Sequence, residues 1–547
     1  MKRPARAASQ FIRGQWWWLS YLTIFSLAFL VFLYLQASPN FADPDSFYHA
    51  KMALLIRQQG VVTKFPWLQL TVLGQNYTDQ HLLYHVALIP FVAWFSPLVG
   101  LKLATVFFGA TLITVVYWVM RQWRVRWPLF FALILLFSRP FSFRMSLAKA
   151  PSTSLIFLIV GLNWIFHFHW RRLAALAFAY VWYYGGFALL GVAALVHTVV
   201  SLAQNRWSKG PKSHQFVQKV LATASLRSRH NRRQYLNVKV LAAVAGGLLA
   251  GVVINPYFPH NLAFYYHQLI NIGVINFQHV IGVGGEWYPY GFGELVANAA
   301  FATILILLAV VGIISRPSAQ SKQSLTLGLL TIIFFFLTLK SRRYVEYYVP
   351  MAVLFSAFSI SDALRGKTGQ EILTEARRMF WHSQLGRYGS AFVLGALLFA
   401  FGYIAGRDLS NEKNDLQGGF RIGQYQAASQ WLAEHTPVVS RVVHSDWDEF
   451  PLLFYYNTHN TYIVGLDPTF LYKANQDIYW TWANITLGKF DGDVYQAVTK
   501  TLGARYVFIA HGHQVMERYF QDHRNFVQVY TDAEATIYQA SNLSVKK

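Results

Sequence analysis

The sequence predicts a polytopic α-helical membrane protein of about eleven spans with a small α/β domain at its C-terminal end. Three observations carry that reading. Of 547 residues, 54% are hydrophobic and only 13% charged, against about 25% charged in an ordinary soluble domain. Mean hydropathy is +0.30. The basic residues fall in short bursts between apolar runs, as cytoplasmic loops do. Distributed that way, a net charge of +23 does not form the groove-lining surface that nucleic acid requires, so nucleic acid is excluded as a partner. The chain has no cysteine, which removes disulfide bracing and thiol chemistry.

The start, "MKRPARAASQFIRGQWWWLSYLTIFSLAFLVFLYLQ", places basic residues before an apolar run too long for a signal-peptide core. It lacks a small-residue cleavage site and is expected to remain as the first span. Trp16, Trp17 and Trp18 fit an interfacial aromatic belt. A spanning helix needs about 20 apolar residues, fewer where protein neighbours cover it. Spans are expected at 18–36, 103–120, 128–138, 152–169, 173–184, 186–203, 240–254, 299–315, 324–339, 347–362 and 389–405.

Orientation follows from the cations. The stretch 204–239 carries Arg206, Lys209, Lys212, Lys219, Arg227, Arg229, Arg232, Arg233 and Lys239 and no acid, so it belongs in the cytoplasm. Arg121, Arg124 and Arg126, the pair Arg171 and Arg172, and the stretch from Arg365 to Arg387 mark further inside turns. The N-terminus is then cytoplasmic, in a prokaryotic inner (plasma) membrane. Segments 37–102, 139–151, 255–298, 340–346 and the tail 406–547 fall outside. This requires 82–96, with Pro90 inside it and His81 and His85 near its start, to lie along the membrane surface. It also requires the segment around "WYYGG" to reach the outer face and return. The chain divides into a transmembrane domain, 1–405, and an extracytoplasmic α/β domain, 406–547. In the tail, "RVVHSDWD" and "TYIVGLD" read as strands around the helix "EFPLLFYYN". "DVYQAVTKTLGARYVFIAH" reads as helix then strand, and "FVQVYTDAEATIYQA" as a closing hairpin.

The outer segments hold the ionisable residues that stand out. "FADPDSFYHAK" sets Asp43 and Asp45 around a proline, a turn able to cap the helix that follows. Arg139, Arg144 and Lys149 lie in the second segment, Glu286 in "VGGEWYPYGFGEL", Arg342 and Arg343 in "LKSRRYVEYYVP", and Asp446 and Asp448 in "HSDWDEFP". Ionisable residues grouped at a membrane face point to function. Carboxylates suit a general base for an acceptor, and cations suit a phosphate-bearing lipid donor. His49, His81 and His85 show no metal-ligand spacing in the sequence.

These motifs resemble the GT-C superfamily of polytopic, polyprenyl-lipid-dependent glycosyltransferases, most of all the catalytic subunits of oligosaccharyltransferases. "DPDSFYH" is similar to the first-loop aspartate motif, whose Asp is followed five residues later by Tyr, matching Asp43 and Tyr48. "VWYYGGFALLGVAALVH" is similar to the family's Trp-Gly-Gly-Tyr reversal, and "VGGEWYP" to the fifth-loop motif ending in Glu, here Glu286. "RRYVEYYVP" resembles the segment whose arginine binds the lipid diphosphate, with a proline seven residues on, which selects Arg343. "SDWDEF" resembles the Trp-Trp-Asp acceptor motif through Trp447 and Asp448.

The resemblance implies a sugar transferred from a polyprenyl phosphate or diphosphate to a protein, lipid or glycan acceptor at the outer face, as in protein glycosylation, with inversion. Asp43, with Asp45 and Glu286, is then catalytic; Arg343, Arg144 and Lys149 bind the donor phosphate; Trp447, Asp448 and Tyr48 meet the acceptor. It also implies Mg²⁺ or Mn²⁺, for which Asp43 and Glu286 are the remaining ligands. The sequence departs from the family there. The positions seven and nine after Arg144, acids in the family, are Pro151 and Thr153, and Lys149 stands nearby. Two missing oxygen ligands and an added ammonium argue against the standard site. Asp446 replaces the first tryptophan of the acceptor motif. The competing reading, a transporter or flippase of a lipid-linked glycan, expects mid-span ionisable residues and internal symmetry, whereas the charges here gather at outer loops.

Overall fold

The computed structural model of the chain describes residues 17–207, 219–367 and 384–541, with 370, 371 and 374. Trp16 and the basic start, 208–218 of the basic stretch, most of the stretch 368–383, and 542–547 lie outside the described residues.

Five described helices are long and apolar enough to cross a membrane: Trp18–Gln36, Pro97–Gln122, Gly185–Gln204, Tyr235–Val253 and Lys322–Lys340. Two bent pairs raise that number to as many as seven. Pro128–Leu136 meets Arg139–Ser146 at 68°, and Phe292–Asn298 meets Ala300–Ser315 at 92°. The chain is an integral membrane protein, and five to seven is the count that length and composition support, where about eleven were expected. Pro151–Phe166, with 16 residues, and Trp170–Tyr183, with 14, are helices at expected positions but are shorter than the roughly 20 residues of a full span. Val345–Ala363 buries nearly all its side chains, including Glu346 at its first turn. Such a helix belongs at the centre of a bundle.

Much of the expected cytoplasmic loop 204–239 is helical: Ala188–Trp207 extends into it and Lys219–Val253 begins inside it. The boundary expected at 405–406 falls within one helix, Gln384–Gln417. Just beyond that helix the chain returns to its first loop, where β1 (Asn40–Phe41) pairs antiparallel with β2 (Phe420–Arg421). A Cβ at Gly419 would collide with the Phe41 carbonyl, so only glycine permits this crossing.

The tail then builds a mixed five-stranded sheet from β3 (Arg441–His444), β4 (Thr461–Tyr462), β5 (Tyr506–Ala510), β6 (Phe526–Thr531) and β7 (Ala535–Ala540), in the order β4-β3-β5-β7-β6. β3 runs parallel to both β4 and β5, while β7 is antiparallel to β5 and to its hairpin partner β6. Every residue of β5 is buried, as a strand covered on both faces requires. The helix Phe450–Tyr456 packs on Asp45–Gln59 of the first loop. Phe454 lies against Trp67 with ring centroids 4.8 Å apart. This apolar contact seats the tail against the loops of the bundle.

Candidate active site

Where the tail meets the loops there is a cavity of about 350 Å³, lined by residues from all four expected outer segments, the "WYYGG" reversal and the tail. Its walls include Asp43, Asp45, Tyr48, Arg144, Lys149, Glu286, Arg343, Trp447 and Asp448. The structure thus brings together every site residue expected from sequence. Arg342 stays outside: it is exposed and binds Glu294 and the Pro289 carbonyl.

The first loop presents its acids from the start of a helix. Asp43 Oδ1 accepts from the Asp45 backbone N–H at 2.9 Å, satisfying one of the donors that a helix start leaves open. Asp45 sits in the first turn of Asp45–Gln59, where a carboxylate is favoured by the helix dipole. Lys149 then bridges the two, with Nζ 2.6 Å from Asp43 Oδ2 and 2.8 Å from Asp45 Oδ2. Burial lowers the tendency of Lys149 to hold its proton, but Asp43, Asp45 and Glu286 outweigh it and keep the ammonium charged. Burial raises Asp45 to about 6 despite Lys149. Asp45 Oδ1 is buried and has no hydrogen-bond partner among the described residues.

A second cluster lies beside the first. Glu286 accepts from both Arg144 Nη1 and Arg343 Nη1. Arg144 also donates to the buried Glu346 Oε2 from Nη2 at 2.8 Å and Nε at 3.0 Å. Arg343 donates to the Tyr184 hydroxyl at 2.7 Å and lies over the Trp287 ring, 4.9 Å from its centroid, so its plane is fixed on two sides. Burial opposes the Glu286 charge, but Arg343, Arg144 and Lys149 hold its carboxyl well below the usual carboxylate range. Backbone bonds set this geometry: Ser341 Oγ donates to the Glu286 carbonyl at 2.9 Å, and Arg342 N–H to the Tyr288 carbonyl at 2.9 Å. At the reversal, a Cβ on Gly185 would strike the Gln80 side chain.

The tail supplies the third wall. Asp446 is the N-cap of the turn Trp447–Glu449 in a reciprocal capping box with Glu449, the arrangement that satisfies two open donors at once. The residue that replaces the expected tryptophan is therefore a cap, and it sets Trp447 and Asp448 at the cavity. Burial, with repulsion from Asp446, Asp43 and Asp45, pushes Asp448 up to about 8. Asp448 therefore holds its proton to higher pH than Asp45 does, so the two carboxyls differ in their capacity to donate.

Arg144, Lys149 and Arg343, expected to bind the donor phosphate, line the cavity as members of ion pairs. Tyr48 is buried, with its hydroxyl 3.3 Å from that of Tyr77. The residues do not fit the Mg²⁺ or Mn²⁺ that the fold family implies. Lys149 fills the space between the first-loop carboxylates, and Glu286 is held by two guanidiniums. The missing acids are accounted for locally: Pro151 opens the helix Pro151–Phe166, and Thr153 Oγ1 donates to the Ala150 carbonyl at 2.9 Å. Proline suits the first helical position because its absent N–H has no partner there. The histidines are corrected. His49, His81 and His85 converge, their ligand atoms all within 4.8 Å of one another. Glu346 and Asp79 were not singled out in the sequence; Glu346 had one signal, an acid three residues after Arg343.

No protein-family model matches the sequence, and no curated protein matches it. Solved structures do. The archaeal oligosaccharyltransferase AglB from Archaeoglobus fulgidus, in complex with an inhibitory peptide and a dolichol-phosphate, aligns with a TM-score of 0.60 at 14% identity, over 90% of this chain and 70% of that one. ArnT from Cupriavidus metallidurans, bound to undecaprenyl phosphate, aligns with a TM-score of 0.55 at 15% identity, over 95% of this chain and 98% of that one. The fold is that of the GT-C glycosyltransferases. The arabinofuranosyltransferase AftD from Mycobacteria shares it with a TM-score of 0.54 at 10% identity, over 96% of this chain but 40% of that one. At these identities of 10–15%, the fold is what is shared.

Proposed function

We propose that the protein is an inverting GT-C glycosyltransferase that moves a sugar or oligosaccharide from a polyprenyl phosphate or diphosphate to an acceptor at the outer face of a prokaryotic plasma membrane. One observation carries this reading: a single cavity on a GT-C fold in which three carboxylates, Asp43, Asp45 and Glu286, face three cations, Lys149, Arg144 and Arg343. Placing the cavity outside and the N-terminus inside rests on the arginine and lysine runs.

Asp43 is the general base that takes the acceptor proton, and Asp45 shares Lys149 with it. As the glycosidic bond breaks, negative charge grows on the departing phosphate. Arg343 and Arg144, oriented by Glu286 and Glu346, stabilise that charge with preorganised N–H groups. Lys149 supplies the positive charge that a metal would otherwise bring, so transfer is independent of Mg²⁺ and Mn²⁺. One base and in-line displacement give inversion. Trp447 offers an apolar face to the acceptor, and the protonated Asp448 donates to it. Gathering these charges beneath the tail supports transfer over transport of a lipid-linked glycan.

The test is discharge of a radiolabelled polyprenyl-linked sugar by the full-length protein in nanodiscs, with product configuration read by NMR. Arg343→Ala is expected to lower discharge by roughly 10²–10³, as losing one preorganised donor does. Wild-type protein that discharges no such donor, or an Arg343→Ala variant as fast as wild type, overturns the proposal.

A further inference from the structure

A histidine cluster outside the charge network has the chemistry of a metal site. His49 lies on the helix Asp45–Gln59, while His81 and His85 lie one turn apart at the start of Leu82–Trp94. Residues at that spacing share a helix face. His49 Nδ1 is 2.8 Å from His85 Nε2. The His81 ring meets the other two edge-on, its centroid 5.0 Å from His49 and 5.9 Å from His85. His49 and His85 are buried, and His49 and His81 line the cavity.

We propose that His49, His81 and His85 bind one divalent transition-metal ion of the Zn²⁺ class, with Asp79 as the carboxylate that orients His85. The donor set decides the class. Three imidazoles suit Zn²⁺, whereas Mg²⁺, Mn²⁺ and Ca²⁺ demand oxygen ligands. This site is therefore separate from the Mg²⁺ or Mn²⁺ site that the Asp43 region does not fit. The buried Asp79 accepts from His85 Nδ1 at 2.7 Å, and its other oxygen accepts from the His81 backbone N–H at 2.9 Å. With Nδ1 as the donor, His85 Nε2 carries the lone pair and accepts from His49 Nδ1–H at 2.8 Å, a bond that a bound ion would replace. A carboxylate on the far nitrogen of a liganding imidazole is the usual outer-shell partner of zinc.

The spacing is within reach of coordination. Three nitrogens bound at about 2.0–2.1 Å to a tetrahedral ion stand roughly 3.4 Å apart. The ligand atoms here are within 4.8 Å of one another, with the His49–His85 pair at 2.8 Å. Small ring rotations, opening one pair and closing the others, bring all three to an ion. The fourth position faces the cavity, because His49 and His81 both line it. The ion would also tie the helix carrying Asp45 to the helix Leu82–Trp94.

The test uses full-length protein purified through a tag free of histidine, stripped with chelator and titrated with Zn²⁺ and, as a spectroscopic probe, Co²⁺. We expect one equivalent per chain and the visible absorption of tetrahedral Co²⁺. The double variant His49→Gln, His85→Gln should lose both signals, and the exposed His435→Gln should keep both. Asp79→Asn should weaken binding by about 10–100-fold. Wild-type protein with no stoichiometric Zn²⁺ and no tetrahedral Co²⁺ band overturns the site even if the variants fail to fold. Binding unchanged in the double variant overturns it equally.

Discussion

Lys149→Met is the substitution that bears most directly on the proposed chemistry. Methionine is close in size and removes the charge together with the N–H groups that bond the two carboxylates. The ammonium lies 2.6 Å from Asp43 and 2.8 Å from Asp45. At an effective dielectric near 20, each gross attraction is roughly 6 kcal/mol. Removing one member of a buried ion pair typically costs about 3–5 kcal/mol, because the partner remains buried. Two carboxylates left together escape that cost when one takes a proton. Asp45, already at about 6 with the ammonium present, is the one to do so. One pKa unit corresponds to about 1.4 kcal/mol. The Asp43 and Asp45 side chains are 19% and 24% exposed, so water screens part of the loss. A rise of about one to two units is expected.

The sign follows directly. In the variant a protonated Asp45 donates to Asp43 and blunts the base, which recovers only as Asp45 ionises, so the acid limb of the rate profile moves upward, toward roughly pH 7–8. The assay is sugar discharge from the lipid donor across that range, with and without EDTA and Mn²⁺. Wild type should gain nothing from Mn²⁺, with or without EDTA. The variant, with two carboxylates and no ammonium, gains a site for an oxygen-seeking ion, and Mn²⁺ should partly restore it. A Lys149→Met enzyme with the wild-type rate and pH profile would refute the reasoning. So would a wild-type enzyme silenced by chelator and revived by Mn²⁺.

Asp43→Asn should lower turnover by about 10²–10⁴ with normal membrane insertion. Asp45→Asn should lower it less, and rates in one purified preparation compare the two. Glu286→Gln should lower Tm at pH 7, because two guanidiniums lose their shared carboxylate. The depressed Glu286 pKa means that its stabilisation is present above the ordinary glutamate value and is lost as pH falls below about 4.3. The gap in Tm between wild type and variant should therefore be constant from pH 7 to about 4.3 and narrow progressively below it. Phosphatase fusions should be silent at Asn231 and active at Ser541; the reverse result would invert the topology and remove the outer-face site.

The fold was legible where local chemistry decides it. Apolar runs and basic bursts marked the helices, the continuous apolar run in "RYVFIAH" marked β5, and "FVQVYTDAEATIYQA" marked the β6–β7 hairpin. What composition did not give was how far a helix runs. Gln384–Gln417 continues past its apolar run into a charged segment, where the buried Leu416 and the Glu412 carboxylate, which accepts from Ser142, hold it against the bundle. The two bent pairs were hidden for a different reason. Each break lies at a turn inside or beside an apolar run, and the angle is set by packing that a hydropathy pattern does not encode.

The site was legible as a set of residue types but not as pairs. Charges in separate loops announce that something is held together, yet sequence is silent on which acid meets which cation. Lys149 was read as a phosphate ligand because it stands near the vacated metal positions; it bridges the carboxylates that the metal would have joined. The histidines were missed for the same reason in stronger form. His81 and His85 have helical spacing, but two ligands four residues apart are common without a metal, and the third comes from another helix 32 residues before His81. The orienting acid, Asp79, precedes His81 by two residues, a spacing that reads as an ordinary helix cap. Only the packing of Leu82–Trp94 against Asp45–Gln59 turns that cap into a carboxylate behind an imidazole. Thus the same loop carries two different electrostatic solutions. The Asp43 end neutralises its carboxylates with a built-in ammonium, and the His49 end leaves neutral nitrogens for a cation from solution.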